Sequence, residues 1–159
     1  MTRPSSGDPS GPSRDEETSY LNVDLEIGST HDLRPVIDAL SPRLFEMYRG
    51  SYGGLNRAHY ELPGLQGKTP DETIRRLVRM LKKLGPAGQR ALQRSRIRDF
   101  NVGVQAGITP SRTELNIEPR TVREVAELGG RIVFTIYAFD EKRARARRRK
   151  DARAKARPT

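Results

Sequence analysis

The sequence predicts an α+β fold: a two-layer sandwich with a mainly antiparallel or mixed sheet of about five to six strands under two to three helices. Three observations carry it. Apolar residues alternate in several short stretches, most cleanly at Leu21, Val23, Leu25 and Ile27. Two other stretches, 70–84 and 119–129, space their apolar residues by three and four. The two kinds of stretch come in the mixed order β α β β α (α) β β α β, which fits hairpins and crossovers in one layer and not a doubly wound parallel sheet.

Residues 1–19 hold no large apolar side chain except Met1, so nothing offsets the entropy of ordering them, and a disordered tail is expected. Residues 20–139 are expected to form a single domain, and 140–159 a basic tail rich in Ala and Arg. Within the domain, the 20–27 alternation reads as a half-buried strand closed by Gly28-Ser29. Leu33, Val36, Ile37 and Leu40 follow at helical spacing. Asp32 is the expected N-cap, leaving Pro35 in the first turn, where its missing N–H does least harm. A strand is expected at 44–48 and a returning one at 58–62, with Gly50, Gly53 and Gly54 in a flexible loop between them.

Thr69-Pro70-Asp71-Glu72 is a reciprocal capping sequence with proline at the first helical position. Ile74, Leu77, Val78, Leu81 and Leu84 form the buried stripe of the helix it starts, and Gly85-Pro86 is the expected stop, with Gly85 in the left-handed cap. A short helix is expected at 87–95. Phe100, Val102, Val104 and Ala106 then alternate; after a turn at 107–112, Leu115 and Ile117 are expected to return as the second strand of a hairpin. Pro119 opens a helix with Val122, Val125, Ala126 and Gly129 on one face, ended by Gly129-Gly130. The final stretch to Phe139 is apolar on both faces, which predicts a central or doubly covered strand. Segments 20–48 and 113–139 each read strand–helix–strand, a pseudo-repeat of the ferredoxin-like split βαβ kind.

The run NIEPRTVREVAELGGRIVFTIYA resembles the closing motif of the domain-of-unknown-function family 4279, through Pro119, Leu128, Gly129, Ile136 and Tyr137. The first strand followed by Asp32-Leu33, and the long helix before FNVGVQAG, stand in the order that family shows, so the resemblance covers residues 20–139. It implies a bacterial α+β domain and assigns no reaction. The Gly-acid loop followed by Trp that such domains often carry is not matched, because this chain has no Trp and Gly50–Tyr60 stands in its place.

The chemistry available is narrow. With no cysteine, disulfides, thiolate metal sites and cysteine nucleophiles are excluded. His31 and His59 lack metal-ligand spacing and read as cap-side or surface residues; no metal or cofactor is called for. Neither a Gly-x-Ser-x-Gly elbow nor a phosphate-cradling glycine motif occurs; Gly50-Ser51-Tyr52-Gly53-Gly54 lacks the Lys-Ser/Thr that would follow in one. Asp99, Asn101 and Gln105 could hold a substrate, but they are also the polar residues that a strand with one wet face turns outward. An enzyme would have to use Asp99, His59 or Tyr60. No apolar run approaches the roughly 18 residues that span a bilayer, and no secretory h-region is seen, so a cytoplasmic protein is expected.

Charge is the remaining signal. The chain carries +10, of which residues 140–159 supply +7. Between Thr73 and Arg98 stand nine basic residues and no acidic one: Arg75, Arg76, Arg79, Lys82, Lys83, Arg90, Arg94, Arg96 and Arg98. The tail adds Arg145 and, at its densest point, Arg147, Arg148, Arg149 and Lys150. These residues read either as solvated surface or as a phosphate-binding set; without interleaved aromatics the tail offers charge neutralisation and no base stacking. The expectation is a non-enzymatic domain that binds nucleic acid or a protein partner, the tail supplying non-specific phosphate affinity. The alternatives are an immunity-like or scaffold protein recognising one acidic protein surface, an anionic membrane surface for the tail, and a small enzyme.

Overall fold

A computed structural model describes residues 17–64, 68–110, 112–142 and 146. Its elements run β1 (Ser19–Ser29), α1 (Arg34–Leu40), β2 (Phe45–Tyr52), β3 (Leu55–Glu61), α2 (Pro70–Lys82), α3 (Pro86–Gln93), β4 (Ile97–Gln105), α4 (Pro119–Glu127) and β5 (Arg131–Tyr137). The five strands form one mixed sheet in the order β2-β3-β1-β4-β5, packed under the helices as a two-layer α+β sandwich.

Alternation along β1 explains its central place. Val23, Leu25 and Ile27 are buried toward the helices, while Asn22, Asp24 and Glu26 face the other way. β3 pairs antiparallel with both β1 and β2, so β1 and β2 run parallel with β3 between them, a split βαβ around α1. Arg96 N–H bonds to Gly28 O (2.8 Å) and Asn101 reaches Glu26 (2.8 Å), so β4 ascends as β1 descends. Arg131 meets Asp99 and Thr135 meets Asn101; these advance together, so β5 lies parallel to β4 after the α4 crossover. Ile74, Leu77, Val78 and Leu81 of α2 belong to one buried core cluster with Leu25, Phe100 and Val102 of the sheet. Each such side chain contributes about 1.5–3 kcal/mol on leaving water.

The chain divides into two compact units. The larger, Tyr20–Val104 with Glu114–Ile136, holds this core. The smaller comprises Met1–Ser19, Gln105–Thr113 and Tyr137–Thr159. In it Thr18 N–H bonds to Thr109 O (2.7 Å), Gly107 N–H to Thr18 Oγ1 (3.0 Å) and Ala106 N–H to Tyr137 O (2.9 Å), and the Thr109–Pro110 peptide is cis. Of the expected tails, residues 1–16, 143–145 and 147–159 lie outside the described residues.

Several expectations are corrected. Asp32 is not the N-cap of α1: its carboxylate accepts Arg34 N–H (2.9 Å) and Arg34 Nε (2.8 Å), and the cap is Leu33, with no side-chain bond, because Pro35 fits only at the very start. The 50–54 stretch is no long loop. β2 continues through Tyr52 and turns on Gly53-Gly54, both at positive φ (61° and 74°), into β3 at Leu55, the tight hairpin that such a glycine pair permits. Gly85 does not adopt the left-handed cap of α2; at φ −64° it is the N-cap of α3. The hairpin of 100–106 with 115–117 does not exist. Both edges of β4 are taken, by β1 and β5, and Leu115 and Ile117 instead pack against the core in an extended crossover tied by Glu118 N–H to Asp71 Oδ1 (3.0 Å). Without that strand, 113–139 is no strand–helix–strand repeat of 20–48. On α4 the buried residues are Thr121 and Val125, and Val122 faces out. The last strand is an edge strand, neither central nor doubly covered.

Candidate functional basic face on α2

The start of α2 is fixed locally. Thr69 Oγ1 accepts Glu72 N–H (3.2 Å), and Glu72 Oε2 accepts Thr69 N–H (3.4 Å), with Pro70 opening the helix. Because Ile74, Leu77, Val78 and Leu81 take the inner stripe, Arg75, Arg76, Arg79, Lys82 and Lys83 fall on the outer side. Lys68, Glu72, Arg75, Arg76 and Arg79 together line a depression of about 210 Å³. Glu72 offsets one of the four positive charges and Asp71 stands 3.8 Å from Arg75, so the site keeps a net positive charge carried by Lys68, Arg76 and Arg79.

The other predicted residues separate by what they already bind. Arg75 stands 3.8 Å from Asp71, and Arg79 Nε donates to Arg75 O (3.3 Å). Lys82 is shared between Glu127 (3.3 Å) and Glu124 (3.9 Å) of α4. Arg98 is structural: its guanidinium donates to Leu92 O (2.8 Å), Gln93 O (3.2 Å) and Gly129 O (3.1 Å), covering the ends of α3 and α4. Lys83, Arg90, Arg94 and Arg96 are exposed at or beyond the α2 C-terminus and do not line the depression. Arg145, Arg147, Arg148, Arg149 and Lys150 lie outside the described residues. Sequence reading missed Lys68, which precedes the capping box and stands just outside the acid-free run. A count extended to the residue before the N-cap would have included it.

The polar residues of β4 serve the sheet. Asp99, 7% exposed, takes a two-pronged contact from Arg131 (2.9 and 2.7 Å). Asn101 bridges Glu26 and Thr135 Oγ1 (2.7 Å), and Gln105 Nε2 donates to Tyr137 O (3.3 Å). His59 projects from the sheet face away from the helices, where its ring lies 5.3 Å from that of Tyr48, whereas Tyr60 points into the core. Asp99, His59 and Tyr60 therefore do not converge. His31 is exposed, with Nδ1 3.3 Å from Thr30 Oγ1. Among the described residues no three His, Cys, Asp or Glu side chains gather to hold a metal, and no helix is long and apolar enough to cross a membrane.

That same sheet face carries one unusual carboxyl. Asp24 stands opposite Glu61 across the β1–β3 pair. Burial, then the negative charges of Glu61 and Glu26, push its pKa up to about 6. A second depression, of about 340 Å³, is lined in part by Arg34, Arg49 and Arg57. Each of these is engaged: Arg34 with Asp32 (2.8 Å), Arg49 with Glu46 (2.6 Å), and Arg57 with Tyr52 O (3.4 Å) and the Tyr52 ring. Of these two depressions, the one on α2 gathers the larger excess of cations, Lys68, Arg75, Arg76 and Arg79 around Glu72. Comparison with protein-family models, curated proteins and solved structures returned no match.

Proposed function

We propose that this protein is a non-enzymatic binding domain whose basic α2 face takes an anionic polymer, a nucleic-acid backbone, with residues 140–159 adding non-specific phosphate affinity. The observation that carries this is the clustering of Lys68, Arg75, Arg76 and Arg79 around a depression with one lining carboxylate, Glu72, which leaves an excess of positive charge. Four cations held by a rigid helix and its cap neutralise phosphates by releasing condensed counterions. No aromatic residue lines the depression, so it offers charge and arginine geometry without base stacking, and the binding is indifferent to base sequence.

Fluorescence anisotropy with a labelled duplex across a salt series tests this. The full chain is expected to bind with log K falling linearly in log salt. The R76E/R79E double variant is expected to lose at least tenfold in affinity at low salt, with the slope shallower by about 2. Ending the chain at Phe139 is expected to flatten the slope further. Absence of salt-dependent binding, or a double variant that binds like the parent, defeats the reading. Binding to polyglutamate but not to the duplex would transfer it to an acidic protein partner.

A further inference from the structure

We infer that β5 is a dimerisation strand, pairing antiparallel with β5 of a second copy of this chain about a two-fold axis through Phe134. β5 lies at the edge of the sheet; Ile132, Phe134 and Ile136 make one face wholly apolar, and on the other Arg131 and Thr135 are turned onto Asp99 and Asn101 of β4. Phe134, Ile136 and Tyr137 are 49%, 69% and 50% exposed. Protein sheets ordinarily blunt such an edge with a bulge, a proline, a glycine or unpaired charge. The opposite edge has apolar residues exposed as well, but it is broken by a register slip between Glu46 and Tyr48 and carries the Glu46–Arg49 ion pair. β5 has none of these devices, and its only charge, Arg131, is turned onto Asp99.

The backbone alternation sets which groups of β5 face away from β4. Tyr137 O accepts from Ala106 N–H, and amide and carbonyl groups of alternate residues point to the same side of a strand. The peptide groups of Ile132, Phe134 and Ile136 therefore point outward, away from β4. An antiparallel partner exchanges paired bonds with every second residue, which is this set. With the axis at Phe134, the strand reads as its own complement. Ile132 meets Ile136, Val133 meets its near-isostere Thr135, and Arg131 meets the ring of Tyr137. This near-palindrome is what selects a second copy over an unrelated strand, because a two-fold interface must be self-complementary. The product is a continuous ten-stranded sheet with no exposed β5 edge.

The chain's lack of cysteine allows a direct test on the full-length protein. Sedimentation equilibrium is expected to show a monomer–dimer equilibrium that salt strengthens, since like-charged copies are screened. Phe134→Lys is expected to abolish it. Single-cysteine variants read the register whether or not that lysine variant folds. Phe134→Cys places two Cα atoms about 5.5 Å apart across the axis and is expected to form a disulfide dimer on mild oxidation. Ile136→Cys leaves its two copies about 14 Å apart and is expected to stay uncrosslinked. A wild-type chain that remains monomeric at its solubility limit in high salt overturns the inference. So does cross-linking at Ile136 in preference to Phe134.

Discussion

At Asp24 a carboxyl group sits where the neutral form is favoured. Burial and the neighbouring Glu61 and Glu26 raise its pKa to about 6 from an unfolded value near 3.8. Between those values the folded state holds a proton that the unfolded chain has lost, so this group's contribution to stability is present at low pH and declines as pH rises through about 6. Asp24→Asn removes the charge while keeping an oxygen for the Asn22 amide, which now donates to Asp24 Oδ1 at 2.9 Å. The variant is expected to be more stable than the parent by about 1 kcal/mol at pH 7.5, after discounting for partial exposure, and equal to it at pH 4. Urea denaturation at the two pH values checks this; a variant that loses stability at pH 7.5 contradicts it. Asp99, at a comparable position on β4, has the Arg131 guanidinium across it where Asp24 has a second carboxylate. The sequence showed both acids as outward residues of alternating strands. It could not show that Asp24 would face Glu61, 37 residues away, and that Asp99 would face an arginine, because those neighbours are set by strand order.

Elements with local signals were legible. The capping box of α2 and the glycine stop of α4 depend on residues within one turn. At the α4 stop, Gly130 N–H bonds to Val125 O (3.0 Å) and Gly129 N–H to Ala126 O (2.8 Å), with Gly129 at φ 62°. A Cβ at Gly129 would also come within 2.7 Å of Arg98 Nη2, the group that covers two helix ends. Gly129→Ala is therefore expected to cost about 1–2 kcal/mol in urea denaturation. Gly85→Ala, with negative φ and open space around it, is expected to cost no more than about 0.5 kcal/mol. Equal losses at the two positions would refute the assignment. Elements whose identity depends on their neighbours were not legible. Leu115 and Ile117 alternate like a strand, but a strand needs a free edge, and β4 has none left. The Val122 face of α4 was misjudged because apolar spacing gives a stripe, while packing decides which end of it is buried. Of the nine basic residues between Thr73 and Arg98, Arg75 and Arg79 have partners one helical turn away, whereas Lys82 and Arg98 are held by partners up to 45 residues distant that no local count reveals.

For the whole molecule, the apolar edge and the basic face lie on related elements. α2 packs against α4, with Lys82 held by Glu124 and Glu127, and α4 leads directly into β5. A two-fold axis perpendicular to a continuous sheet keeps both helix layers on the same side, so a β5-linked dimer presents two copies of the α2 depression to one partner. A nucleic acid long enough to reach both then binds through both, and the second contact is intramolecular, with the gain in affinity that effective concentration provides. This rests on the two proposals together and separates them from either alone. On a long duplex the wild-type chain is expected to show a salt slope approaching twice that of the Phe134→Lys monomer, and an affinity at least tenfold higher. On a duplex too short to span both sites the two proteins are expected to bind alike. R76E/R79E is expected to weaken binding on both lengths while leaving sedimentation unchanged. If the monomeric variant matches the wild type on the long duplex, the sites act independently even though the dimer forms. If the double variant also dissociates the dimer, the basic face and the β5 edge are one interface and not two.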